Sequence, residues 1–230
     1  MMESILPAEP ERPLFSADLR FPWLVRMFAH LFSIVFHPLF VPVMAAWYLV
    51  YVQPGYFTGF SAHEKSLIVI RVGYNTIFFP AITVVLLKAV GFINSILLKS
   101  KRDRIIPYIA TNIFYFWMYL VFKNDVEIPS ILTSFVFGIF LGSTVALLAN
   151  IYFKISMHAL GMGAFTGLIL VIIFSGFQYL LFLPAMLVLL ITGLVCTSRL
   201  IVSDHTPFEI YTGLLFAIIC QFVAYIFISL

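Results

Sequence analysis

From Ala159 to Thr197 the chain carries no Asp, Glu, Lys, Arg or His. A helix crosses the hydrocarbon core of a bilayer in about 20 apolar residues, so this run holds two crossings. The turn between them is expected near Ser175-Gly176-Phe177-Gln178, where small and polar residues break the apolar pattern. Barrel strands alternate polar and apolar residues over about 10 positions, and uncharged runs of this length exclude them. Composition extends the reading to the rest of the chain. Of 230 residues, 63% are hydrophobic and 10% are charged, against roughly 25% charged in a soluble domain. The mean hydropathy is +1.09. The expected fold is all-α, a polytopic transmembrane helical bundle of six to seven spans. The 26 Phe and 17% aromatic content suit lipid-facing helices with interfacial belts.

Residues 1–20 mix Glu3, Glu9, Glu11, Arg12, Asp18 and Arg20 with prolines and read as a tail outside the bilayer. An acidic, proline-containing start is unlike the basic lead and apolar core of a signal peptide. Residues 21–230 read as a single transmembrane domain, with no internal repeat or linker. Residues 21–30 look like an amphipathic lead-in at the interface. The first span is expected at about 31–52, kinked by Pro38 and Pro42 and ended by Gln53-Pro54-Gly55. His37, inside that span, is a candidate for a hydrogen bond to a neighbouring helix.

Further spans are expected at about 66–88, 106–122, 130–152 and 206–230, with Pro107 closing the basic loop that precedes the third. Arg71 and Asn75, one turn apart, read as a polar patch facing the bundle. Gly138, Gly142, Ser143 and Ala146 suit close helix contact. Cys196 and Cys220 lie in apolar runs and read as packing thiols rather than metal ligands or a disulfide. A net charge of +3 is too small and too dispersed along the chain to suggest nucleic acid binding, and none is expected.

Three polar stations remain. They are the basic loop with Lys99, Lys101, Arg102, Asp103 and Arg104; the pair Ser156 and His158; and the stretch Ser198 to Glu209. Two crossings separate each from the next, so all three belong on one membrane face. Ionisable residues at membrane depth usually face a bundle interior and mark function. If a helix starts near Thr206, with Pro207 in its first turn, His205 and Glu209 share a face at i, i+4 spacing. The carboxylate then holds one imidazole nitrogen and leaves the other to attack. Arg199 offers a planar fork for an anionic oxygen. The plainer reading is that these residues cap a helix and mark the interface.

Ser198-Arg199, five residues, His205, three residues and an acid resembles the third signature motif of the type 2 phosphatidic acid phosphatase superfamily. Those proteins are helical bundles that hydrolyse phosphate monoesters and diphosphates, often on lipids. Ile155-Ser156-Met157-His158 is similar to the second motif, keeping its serine and histidine where the family has Pro-Ser-Gly-His. Lys99, Lys101 and Arg104-Ile-Ile-Pro107 stand where the first motif has a lysine followed by Arg-Pro. The resemblance covers roughly residues 99–215. It implies His205 as the nucleophile, Glu209 as its orienting acid, and His158 as the proton donor to the leaving oxygen. It implies Arg199, Arg104, Lys101, Lys99, Ser156 and Ser198 as the phosphate-binding set, without metal or cofactor. The implied substrate is a lipid phosphate or polyprenyl diphosphate, the partners are membrane lipids, and the setting is a cell membrane such as the bacterial inner membrane.

Two alternatives stand beside this expectation. One is a non-catalytic membrane subunit or headgroup-binding protein that keeps the bundle. The other is a small-molecule carrier, which lacks support from paired broken helices or inverted repeats. The face with Lys88, Lys99, Lys101, Arg102, Arg104, Lys154 and Arg199 is the more basic, which the positive-inside rule assigns to the cytoplasm. The resemblance implies the outer face instead. Cations of the site enter that count, so the count does not choose between them.

Overall fold

In the computed structural model, residues 21–96, 101–176, 182–202 and 205–230 are described, Lys101 and Arg102 by their backbone alone. The protein is an integral multi-pass membrane protein, all-α among these residues. Among the described residues, six helical segments are long and apolar enough to cross a bilayer. The first is Ala62–Ala89, formed by α3 (Ala62–Gly73), a π-helical turn Tyr74–Phe78, and α4 (Phe79–Ala89). The others are α5 (Lys101–Lys123), α6 (Ser130–Ala149), α7 (Met157–Phe174), α8 (Phe182–Val202) and α9 (Pro207–Ser229).

Local chemistry sets several boundaries. Ser61 and Glu64 form a reciprocal capping box at the start of α3, and Thr206 and Glu209 form another at the start of α9. Gly91 and Gly176 adopt positive φ just past α4 and α7, the left-handed conformation that closes a helix end at little cost for glycine. The turn expected near Ser175-Gly176 is there; Phe177 and Gln178 lie outside the described residues.

The segment ahead of α3 departs from expectation. The helix expected as a lead-in over residues 21–30 starts at Trp23 and runs on to Val35 as α1 (Trp23–Val35). The interruption falls at residues 36–40, and α2 (Val41–Trp47) with a π-helical turn Tyr48–Val52 follows. Pro38 is the physical reason, since it has no N–H and disfavours helical geometry at His37. Contacts give the direction of travel. Ser33 meets Arg199 near the end of α8, Pro38 lies beside Gly161 in the first turns of α7, and Tyr48 stacks edge-on against Phe165 further along it. From the break onward the chain therefore runs along α7 from its first turns inward, while α1 packs against α8.

A second departure is Pro107. It lies inside α5 rather than closing a loop, and Asp103 and Arg104 are helical. A proline near a helix start removes only one backbone bond. The Asp103 carboxylate also accepts from the Asn94 backbone N–H (3.2 Å) and side-chain amide (3.3 Å), which ties this first turn to the end of α4.

Helix α7 is central, packed against α9, α6, α8 and α2. Lipid tails are as apolar as a leucine, so close approach of small residues and interhelical hydrogen bonds must hold such a bundle. A Cβ on Gly163 would lie 2.5 Å from the Leu214 carbonyl oxygen, and one on Gly167 2.8 Å from the Gln221 side chain. The Gln221 amide fills the space beside Gly138, so a side chain there would have to displace it. Gly142 has nothing within 4 Å of its missing Cβ. Ser143 earns its place differently, donating to Asn112 across α5 and α6. Thr166 and Thr192 join α7 to α8 at 3.0 Å. Such bonds contribute roughly 0.6–2 kcal/mol each in a bilayer.

Candidate functional site

The site lies where α5, α7 and α9 begin and α8 ends. His205 precedes the N-cap of α9, and its Nδ1 is 2.8 Å from Glu209 Oε2. A carboxylate accepts, so Nδ1 carries the proton and the neutral ring presents its lone pair at Nε2. The same Oε2 accepts from the Thr206 backbone N–H at 3.1 Å. Glu209 therefore completes the capping box and orients the imidazole at once, where the positive end of the helix dipole favours a carboxylate. The pair is largely withdrawn from solvent, with side-chain exposures of 8% and 15%. At that burial the contact is a fixed orientation rather than one of many surface ion pairs.

The strand of chain before α7 meets α9 directly. The Ser156 N–H donates to the Glu209 carbonyl at 3.2 Å, and the Ser156 hydroxyl caps α7 by accepting from Ala159 N–H at 3.4 Å. Gly213 permits this contact, since a Cβ there would lie 2.8 Å from Ile155 Cγ2. Arg104 reaches over from α5, and its Nη1 donates to the Ile155 carbonyl at 3.3 Å. Met157, in the position where the resembled motif has glycine, receives the Tyr108 hydroxyl at its sulfur and so leans toward α5.

His158, in the first turn of α7, places its Nε2 3.0 Å from the Ser33 carbonyl oxygen. A carbonyl only accepts, so Nε2 is protonated and Nδ1 is the open position of the neutral ring. Arg199 donates from Nη1 to the Ser33 hydroxyl at 3.3 Å. His158 lies within electrostatic reach of Arg199, His37 and His205, and Lys154 within reach of Glu209. The rings of His37 and His158 meet edge-on, with centroids 5.4 Å apart.

Of the residues singled out in the sequence, His205, Glu209, His158, Arg199, Arg104 and Ser156 converge on this end of the bundle. Ser198 is on the same turn as Arg199, but its hydroxyl donates back to the Leu194 carbonyl at 2.7 Å. Lys99, Ser203 and Asp204 lie outside the described residues, as does the side chain of Lys101. The tail at 1–20 does too. Arg71 and Asn75 do not face this site. Arg71 is 3.6 Å from Asp125 in the turn between α5 and α6, at the opposite end, and Asn75 donates to the Arg71 carbonyl.

Ser33 was missed in the sequence, and His37 was singled out without its partner. The available signal was their i, i+4 spacing immediately before Pro38. Among the described residues, no group of three or more His, Cys, Asp or Glu is placed to hold a metal ion. The chain matches no protein-family model, no curated protein and no solved structure.

Proposed function

We propose that this protein is a membrane phosphohydrolase of the type 2 phosphatidic acid phosphatase kind, acting on a phosphorylated lipid or polyprenyl diphosphate in a membrane such as the bacterial inner membrane. One observation carries the reading. An oriented His205–Glu209 pair, a second imidazole and two guanidinium groups meet at one end of an otherwise apolar bundle. Phosphoryl transfer asks chiefly for positioning and for cations on the equatorial oxygens. Arg199 and Arg104 serve as those cations, assisted by Lys99, Lys101 and the helix-start amides near Ser156.

His205 Nε2 attacks phosphorus. The P–N bond forms as the P–O bond to the lipid breaks, and Glu209 stabilises the charge that develops on the ring. Protonated His158 gives a proton from Nδ1 to the leaving oxygen. Water then attacks the phosphohistidine, His158 takes its proton, and inorganic phosphate leaves with His205 restored. The two imidazoles need opposite tautomers for this division of labour, and their hydrogen-bond partners supply opposite tautomers.

A second reading keeps the anion site without hydrolysis. Ile155 and Met157 in place of proline and glycine, and the altered spacing at Lys99–Arg104, favour it. Phosphate release from a panel of lipid phosphates and diphosphates, measured in mixed micelles, separates the two. The expected result is release that falls about 10²–10⁴-fold in His158→Ala, the usual worth of a general acid. Absence of release from every substrate selects the binding protein.

A further inference from the structure

We infer that the break between α1 and α2 is a positioning device for the site: Pro38 ends α1 so that the Ser33 carbonyl is handed to His158 while the Ser33 hydroxyl holds Arg199. The inference rests on the reading of His158 and Arg199 as site residues, and Ser33 and Pro38 are positioning residues rather than catalytic ones.

The argument is an account of backbone acceptors. In an uninterrupted helix the Ser33 carbonyl takes the N–H of His37, and the Ile34 carbonyl takes the N–H of residue 38. Proline at 38 has no N–H to give. Two carbonyls then compete for one donor. The structure shows the outcome: the His37 N–H goes to Ile34 O at 3.3 Å, and Phe36 N–H to Phe32 O at 2.9 Å. The Ser33 carbonyl is released and accepts from His158 Nε2 at 3.0 Å. A carbonyl buried in a bilayer without a partner is costly, so the break and the histidine contact support each other.

The geometry does more than fill a vacancy. The Ser33 carbonyl is one of the last in α1, at the negative end of the helix dipole, where an imidazolium is favoured. It fixes the proton on Nε2 and directs Nδ1 away from α1. Pro38 packs directly beside Gly161 in the first turns of α7, which holds the break against the helix that carries His158. The groups that face His158 are Arg199 from α8, His37 from the break and His205 from the start of α9. One serine thus ties α1 to two of the other helices that build the site.

The test is spectroscopic first. Full-length protein labelled with 15N-histidine in detergent micelles is examined by long-range proton–nitrogen correlation, with His158 assigned through His158→Gln. The expected wild-type pattern is Nε2–H for His158 and Nδ1–H for His205. In Pro38→Ala, an N–H returns at residue 38, the His37 N–H recaptures Ser33 O, and His158 shifts to a mixed tautomer. With a lipid phosphate as substrate, kcat in that variant falls about 10–100-fold with little change in KM. Ser33→Ala keeps the carbonyl, so it retains the wild-type His158 pattern while KM rises about tenfold as Arg199 loses the Ser33 hydroxyl that helps to aim it; Ser33→Thr restores it. A wild-type His158 protonated at Nδ1, or a pattern identical in wild type and Pro38→Ala, overturns the inference. If wild-type protein releases no phosphate, the phosphatase reading fails and the nitrogen spectra alone decide this one.

Discussion

The two ends of the bundle use the same local device to different effect. At one end Ser61 and Glu64 form a capping box in which the Glu64 carboxylate accepts from the Ser61 N–H at 2.7 Å. At the other, Thr206 and Glu209 form the same box. The first is exposed, and its hydrogen bonds join Ser61 and Glu64 to each other within the first turn of α3. The second has a histidine directly before it, sits against the start of α7, and is shared with a buried imidazole. Each end also has an arginine and an acid, but Arg71 and Asp125 are 3.6 Å apart with side chains 50% and 34% exposed, where water screens the pair. The capping sequence alone therefore carries no function. What distinguishes the site end is convergence, because four helix termini and the break between α1 and α2 bring polar groups together at one end of an apolar bundle.

The sharpest way to break this contrast is His205→Ala, which on the proposed phosphohydrolase function is expected to lower phosphate release by roughly 10³-fold or more, as loss of a nucleophile does. Release unchanged in that variant removes His205 from the chemistry. Next, Glu209→Gln keeps a cap at α9 but removes the charge behind the ring, and activity is expected to fall about 10²-fold. The matched change Glu64→Gln at the opposite end should leave phosphate release untouched. Equal losses in the two variants would make both ends merely structural.

A smaller effect separates packing from chemistry. Gly163→Ala forces a methyl against the Leu214 backbone and should destabilise the protein by about 1–3 kcal/mol in detergent thermal unfolding. Gly142→Ala meets open space and should raise stability by about 0.5–1 kcal/mol through helix propensity. The smallest expected change is for Arg71→Gln, within about 0.5 kcal/mol, with activity intact. A large loss of activity in Arg71→Gln would place part of the site at the wrong end.

Much of the architecture was legible because a bilayer is a demanding solvent. Every backbone group must be paired inside its own segment, so long uncharged runs left few choices, and counting crossings put the polar stations on one face. Glu209 was legible as a partner of His205 because i, i+4 spacing is a property of any helix. Pro107 misled because a proline marks a helix end only on average. Asn94 and the packing of α5 kept its first turns helical. Arg71 misled because depth in a span says nothing about which neighbour an arginine faces.

The sequence by itself determined the solvent, the class of fold, the membrane-facing parity of the polar groups and the His205–Glu209 pair, since each follows from periodicity and hydropathy along one chain. Only the tertiary structure decided that His158 answers to Ser33, that Ser33 also holds Arg199, and that Arg104 closes over Ile155. Those contacts join residues 51 to 166 positions apart. Spacing along the chain cannot encode which helix faces lie together; that depends on where glycines let α7 and α9 approach and where a proline stops α1.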